Sequence, residues 1–336
     1  VSATHREVNL RAIPPLHPGG WRLYGAEDIA LTGAAPKNYL AFGDARRPDC
    51  EAYIAKRGGR INGDRDCVTE EIISRIGRAL PVRVAASRLV RLPVRPGQPP
   101  DVRFMSRNFV RPGEQLLIHG LEVVAQYLDS RPEEVHRVFD LGNPEAEHRF
   151  YTIHHVVEVL RWFCRSDEER AAVLDGFARM LAFDALVGAP DRHAMNWGLL
   201  VDLSNSKKPK EFAPLFDTAR GMFREHPDAN LELAERNGQR EEFITNYARK
   251  SRPILGIGET GPRRCNHFDL VQCALNDLPD DLGGSIRRFM RGVRMAEVEM
   301  VVRRGFRRII SPIRVSFIVG LLQHRFERLK LLTEGT

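Results

Sequence analysis

The usual signs of a metal or redox protein are missing from this sequence. Its five cysteines (Cys50, Cys67, Cys164, Cys265, Cys273) are scattered over 336 residues with no C-x-x-C pair. That excludes a zinc ribbon or finger and provides no disulfide framework. No G-x-x-x-x-G-K-[ST] run occurs, so a P-loop is excluded as the holder of nucleotide phosphates. There is no internal repeat and no low-complexity tract, which excludes solenoids and propellers. The most apolar stretch, 309–322, carries Arg314 and is too short and polar to span a bilayer. Residues 1–15 have no apolar core behind a basic start, as a secretory signal would require. These absences lead to the expectation of a cytoplasmic protein with no membrane contact.

What remains is ordinary for a chain with a packed core: 43% hydrophobic and 28% charged residues. The length predicts about two domains or lobes. Lys and Arg outnumber Asp and Glu by 51 to 44, a net charge of +7. A positive balance suits polyanionic partners such as nucleotides, nucleic acid or phosphorylated groups.

Along the chain the texture changes once. Residues 1–29 read as an arm or edge strand. Asn38–Phe42 and Ala52–Lys56 are short β-branched or aromatic runs and read as strands. Thr69–Leu80 reads as a helix with Glu70 and Glu71 in its first turn and Ile72, Ile73 and Ile76 on one face. Val82–Leu92 and Val102–Val110 read as extended. Beyond them Leu116–Leu128, Ile153–Phe163 and Glu168–Val187 have apolar residues at helical spacing, followed by short strands at Trp197–Val201 and Phe212–Phe216. The last fifty or so residues read as Arg-rich helices. Strands with one helix followed by a mainly helical half predict an α+β chain of two lobes, 1–108 and 109–336, with a cleft between them.

Four segments could carry chemistry. Asp191-Arg192-His193-Ala194-Met195-Asn196 puts a carboxylate and an amide five residues apart on one loop, after a helix and before a strand. Such an Asp can take a hydroxyl proton while the Asn oxygen binds a hard cation. Phe212–Asp217 ends an apolar strand on a lone carboxylate, a group suited to Mg²⁺. Thr32-Gly33-Ala34-Ala35-Pro36-Lys37 is a small-residue loop whose N–H groups could approach phosphate oxygens, with Lys37 as a nearby charge. Lys56 ends a strand and Glu70 opens the next helix, a pairing that can hold a lysine on nucleotide phosphates. Taken singly, each also has a plain structural reading as a turn, cap or surface charge.

Together these segments resemble the HipA-like kinases, serine/threonine kinases best known as toxins of toxin–antitoxin pairs, over roughly residues 30–320. Thr32–Lys37 is similar to the family's S/T-G-x-x-P-K loop, Asp191–Asn196 to its D-x-H-x-x-N, and Ala213–Asp217 to its A-P-L-[YF]-D. The resemblance implies a bilobal protein-kinase-like fold with a small β-rich N-lobe and a larger helical C-lobe. It also implies transfer of the γ-phosphate of Mg-ATP to a protein hydroxyl. By matching positions Asp191 is the implied base, and Asn196 and Asp217 hold Mg²⁺. Thr32, Gly33, Lys37, Lys56, Glu70, Met105 and His193 serve the nucleotide, with the segment 103–109 as the hinge that meets the adenine and His193 as a brace for its loop. Thr32 is the hydroxyl nearest to the family's autophosphorylated serine. Two departures stand out. Met195 occupies a position that is often basic in the family. Arg192 gives a D-R-H shared with phosphoinositide 3/4-kinases, although Asp217-Thr218-Ala219 replaces their D-F-G. A lipid or small-molecule kinase and a nucleotide-binding pseudokinase are therefore the competing readings. An antitoxin-type partner is the implied regulator. The arginines at 287, 288, 291, 294, 303, 304, 307 and 308 suit either nucleic acid or amphipathic helices with a solvated basic face; the second is expected, because aromatics are not interleaved among them.

Overall fold

Alternation of polar and apolar residues in five short segments builds the first sheet of the computed structural model. That structure describes residues 7–16, 19, 21–24, 37–42, 51–59, 61–92, 101–139, 151–205, 207–218, 220–257, 265–278 and 280–335. The strands are β1 (Trp21–Tyr24), β2 (Lys37–Phe42), β3 (Glu51–Arg57), β4 (Ser87–Leu92) and β5 (Asp101–Arg107). They lie in the order β1-β2-β3-β5-β4, antiparallel throughout.

The register sorts the side chains to two faces. Ala55 pairs with Met105, and both lie in an apolar cluster with Leu16, Leu40, Tyr53 and Val90. Lys56 pairs with Phe104 on the opposite face, where Leu89, Val102 and Phe104 join the main core with helix α1 (Asp64–Arg78). Helix α1 starts earlier than the sequence predicts. Asp64 and Asp66 provide acidic residues for its first turn, and Arg75 and Arg78 provide basic ones for its last, so both ends complement the helix dipole.

The second part is helical around a small three-stranded sheet, β6 (Gln115–His119), β7 (Gly198–Asp202) and β8 (Glu211–Phe212). The run 116–128, expected as one helix, divides into β6 and α2 (Gly120–Tyr127). Its Leu-Leu-Ile stretch is captured by β7, where Leu117 faces Leu200 and Ile118 faces Leu199. The split falls at Gly120, where a Cβ would lie 2.3 Å from the Trp197 ring. The expected strand at 82–92 is shortened to β4, and the one at 212–216 ends at Phe212, before Pro214.

The remaining helices are α3 (Pro132–Phe139), α4 (Ile153–Phe163), α5 (Asp167–Val187), α6 (Asp228–Arg236), α7 (Arg240–Lys250), α8 (His267–Asn276), α9 (Asp280–Gly292), α10 (Met295–Phe306) and α11 (Pro312–Glu334). Helix α5 is central: Leu174, Phe177, Ala178, Leu181, Phe183 and Leu186 are all buried. Helices α9 and α10 turn Ile286, Phe289, Val298, Val302 and Phe306 inward and leave Arg291, Arg294, Arg303 and Arg304 exposed. Among the described residues no helix is long and apolar enough to cross a membrane. The segment 7–13 reaches the C-terminal helices: Val8 bridges Ile310, and Asn9 N–H donates to the Ile309 carbonyl.

Adding a methyl at Gly120 forces it into the Trp197 ring. Gly120→Ala is expected to destabilise the protein by about 1–3 kcal/mol, the usual cost of overpacking, read as a lower urea midpoint with an unchanged slope.

Candidate active site

The sequence places Lys56 at the end of an inward-facing strand and Glu70 on the helix that packs against that face. In the structure the Lys56 Nζ lies 2.5 Å from Glu70 Oε1 and 2.8 Å from Asp217 Oδ1. One ammonium thus joins β3, α1 and the loop after β8. Burial works against its charge, but Glu70 and then Asp217 outweigh it and hold the Lys56 pKa above that of an ordinary lysine. Beside it, burial pushes the Cys67 thiol up to about 12, so Cys67 is a packing residue and not a nucleophile.

Asp191 stands on a loop that is held from several sides. Helix α5 ends at Gly188, in the left-handed conformation with φ 68°. The Ser251 hydroxyl donates to the Gly188 carbonyl at 3.0 Å. His267 sits against the carbonyls of Ala189 and Ser251, at 3.0 and 3.1 Å. Arg325, fully buried, donates to the carbonyls of Ala185 and Ala248.

Arg192 fixes the loop itself. Its Nε and Nη2 grip both oxygens of Asp184 at 2.7 and 2.8 Å, and its Nη1 donates to the carbonyls of Asn196 and Phe216. Burial opposes the guanidinium charge, but Asp184 outweighs it and keeps Arg192 above its ordinary value. Asp184, Arg192 and Asn196 are all buried, so this bidentate pair locks the two loops that carry Asp191 and Asp217 to α5.

Within the loop the Asn196 side-chain NH₂ donates to the Asp191 carbonyl at 2.7 Å, which leaves its Oδ1 for a cation. His193 Nδ1 accepts from Met195 N–H, and its carbonyl accepts from Asn196 N–H. Burial lowers the His193 pKa, so the neutral ring braces the loop. Asp217 has a φ of 53°, a left-handed conformation that costs roughly 1–2 kcal/mol for a residue other than glycine. Strain of this kind concentrates at functional sites. The strand-like residues before Asp217 are tied to the first half of the chain: Leu215 exchanges backbone hydrogen bonds with Arg83 and Ala85.

The expected site residues therefore divide into three groups. Lys56, Glu70 and Asp217 are in contact, and Asp191, His193 and Asn196 share one braced loop that Arg192 joins to the Asp217 segment. Lys37 pairs in register with Lys56. Thr32 and Gly33, with the rest of their loop, lie outside the described residues. The Met105 side chain is turned away from Lys56. The residue lies in mid-strand between β3 and β4, and its side chain is buried in the cluster on the face opposite Lys56. Its period-2 position, one step from Phe104, decides this.

Three residues that hold the site were not singled out from the sequence: Asp184, His267 and Arg325. For Asp184 a signal existed, a lone carboxylate inside the apolar run 181–187. For His267 and Arg325 there was none, because both act on main-chain carbonyls far away in sequence. Among the described residues no cluster of three or more His, Cys, Asp or Glu could hold a metal by itself. Asn196 and Asp217 instead offer two hard oxygens. That donor set fits Mg²⁺, which keeps waters or phosphate oxygens as its other ligands.

Comparison with known proteins bears on the family and the fold. The sequence pattern of the HipA-like C-terminal domain matches residues 29–269. The chain belongs to the HipA-like C-terminal domain family. None of the curated proteins compared matches it. Among solved structures, the Helicobacter pylori proinflammatory kinase CtkA is similar with a TM-score of 0.67 at 16% identity, over 91% of this chain and 92% of CtkA. At that identity the likeness is one of fold, a β-rich first part and a helical second part arranged as in a kinase. HipA of Shewanella oneidensis MR-1, solved with HipB and its operator DNA, is a looser match: TM-score 0.45 and 14% identity over 96% of this chain and 73% of HipA.

The His267 contacts predict a pH effect on stability. A neutral ring can donate to only one of its two carbonyls, and burial and the Arg325 charge push its pKa down to about 3. The unfolded chain takes up that proton first. The His267 contribution is therefore complete above about pH 6.5 and falls by about 1.4 kcal/mol per unit as the pH drops toward 3. Urea unfolding between pH 7 and 4 is expected to show this slope, and His267→Gln is expected to flatten it.

Proposed function

We propose that the protein is a HipA-like kinase that transfers the γ-phosphate of Mg-ATP to a serine or threonine hydroxyl of a protein. The observation that carries this reading is the bridge of Lys56 to both Glu70 and Asp217. A buried lysine held by a helix carboxylate, next to a partly exposed carboxylate, is the arrangement that grips nucleotide phosphates beside a divalent cation.

On this reading Lys56 binds the α- and β-phosphate oxygens, and Glu70 keeps it in place. Asn196 Oδ1 and the Asp217 carboxylate hold Mg²⁺, which when bound neutralises the charge on the phosphates. Asp191 orients the acceptor hydroxyl and takes its proton. His193 and Arg192 keep Asp191 and Asn196 on one rigid loop, so little reorganisation is needed at the moment of transfer. A protein acceptor and an antitoxin-type regulating partner complete this reading, and membership of the HipA-like family supports them.

Incubation with labelled ATP and Mg²⁺ is expected to label either the protein itself or an added protein acceptor. Asp191→Ala and Asp217→Ala are each expected to lower that transfer by about 100-fold or more. Asp191→Ala is expected to retain nucleotide binding, whereas Asp217→Ala loses its Mg²⁺ dependence. Wild-type turnover in both variants would sink the assignment. Tight Mg-ATP binding without any transfer would make the protein a pseudokinase.

A further inference from the structure

One cation at the site has no part in the scheme above. Arg220 Nε lies 3.0 Å from Asp191 Oδ2, and the Arg220 side chain is 55% exposed against 22% for Asp191. The pairing is built by the backbone. Gly221 has a φ of 143°, and a Cβ there would lie 3.0 Å from the Gly188 carbonyl oxygen. The loop after Asp217 is therefore pressed against the turn that leads into Asp191. On the far side Met222 and Phe223, at φ 50° and 60°, are fully buried. Phe223 is tied there by its N–H, which donates to the Tyr247 hydroxyl, and by its carbonyl, which accepts from Arg314. The Arg220 backbone is thus anchored on its C-terminal side while its guanidinium reaches solvent.

The other described cationic groups at the site are not free to move. Lys56 is buried between two carboxylates. Arg192 has Nε, Nη1 and Nη2 all engaged and is 3% exposed. His193 is depressed by burial, with its ring in the field of Asp191, Asp217, Arg192 and Arg220 together. Ala194 and Met195 complete the loop and carry no charge.

We propose that Arg220 is the mobile cation of the transfer step, resting on Asp191 in the nucleotide-free site and passing to the γ-phosphate when ATP is bound. This rests on the kinase reading. A terminal phosphate carries more charge than a carboxylate and matches the planar fork of arginine, so it draws the guanidinium across. The acceptor oxygen then bonds to the γ-phosphorus and the bond from that phosphorus to the β–γ bridging oxygen breaks. ADP leaves with the electron pair, and the hydroxyl proton passes to the uncovered Asp191. Arg220 stabilises the charge on the transferring group. ATP thereby draws Arg220 off Asp191, and ADP, lacking the γ-phosphate, does not.

The test measures equilibrium binding of Mg-ATP and Mg-ADP to the full chain, alongside turnover. For Arg220→Ala the affinity for ATP is expected to fall about tenfold with ADP affinity nearly unchanged, and kcat about tenfold or more. Arg220→Lys should recover part of both, and Arg304→Ala, the same loss of charge on an exposed face of α10, should change neither. Arg220→Ala with an unaltered ATP-to-ADP preference overturns the proposal, as does a variant that turns over faster, since Arg220 would then be a plain lock on Asp191. If the wild type binds nucleotide and loses transfer on Asp217→Ala, such a result defeats the role of Arg220 alone. If the wild type binds neither nucleotide, the kinase reading fails and this proposal with it.

Discussion

A single ammonium group, Lys56, sets the geometry on which the rest of the site depends. It is buried, and it is charged because two carboxylates from different elements close on it. Removing both partners would leave an unpaired charge in a low-dielectric pocket, which is strongly destabilising; either carboxylate alone still pairs it. Strand β3, helix α1 and the Asp217 loop are therefore tied electrostatically before any ligand arrives. The tie is reinforced farther along, where Arg224 from the same loop reaches Asp66 at the start of α1, 2.7 Å away. Asp66 in turn accepts hydrogen bonds from Gly59 N–H and Asn62. A shift of α1 would have to break contacts at both ends of this loop.

The second half of the site is rigid for a different reason. Helix α5 is buried over most of its second half and presents Asp184 there. Arg192 uses it as an anchor and passes the restraint to Asn196 and Phe216 through their carbonyls. Phe216 packs against Phe109 and His119, so the residue before Asp217 is fixed by rings on one side and by the guanidinium on the other. The two loops carrying Asp191 and Asp217 thus share one support, as positioned phosphoryl transfer requires.

Much of this was legible in the sequence because it is local. The strands at 38–42 and 52–56, the helix over 153–163 and the long helix ending at 187 follow from period and from Gly188 as a stop. Lys56, Glu70, Asp191, Asn196 and Asp217 could be picked out by residue type and spacing. What could not be read depends on partners distant in the chain. The 116–128 run looks like one helix until β7 is beside it. Which face the Met105 side chain takes shows only once its strand is in register with β3 and β4. His267 and Arg325 leave no trace because a carbonyl acceptor has no identity in a sequence, and Arg220 is one arginine among many in a basic chain. The structure adds one further long-range link: Glu7 meets Arg65 of α1 and Arg314 of α11.

The grip of His267, Ser251 and Arg325 on the turn before Asp191 has a consequence for substitution. All three read carbonyl oxygens, at residues 185, 188, 189, 248 and 251, and every amino acid presents that oxygen alike. The grip itself thus sets no side-chain type along this turn; its buried alanines and the left-handed Gly188 are fixed by packing and backbone instead. A substitution at a solvent-facing residue nearby can then leave the seat of the aspartate as it is.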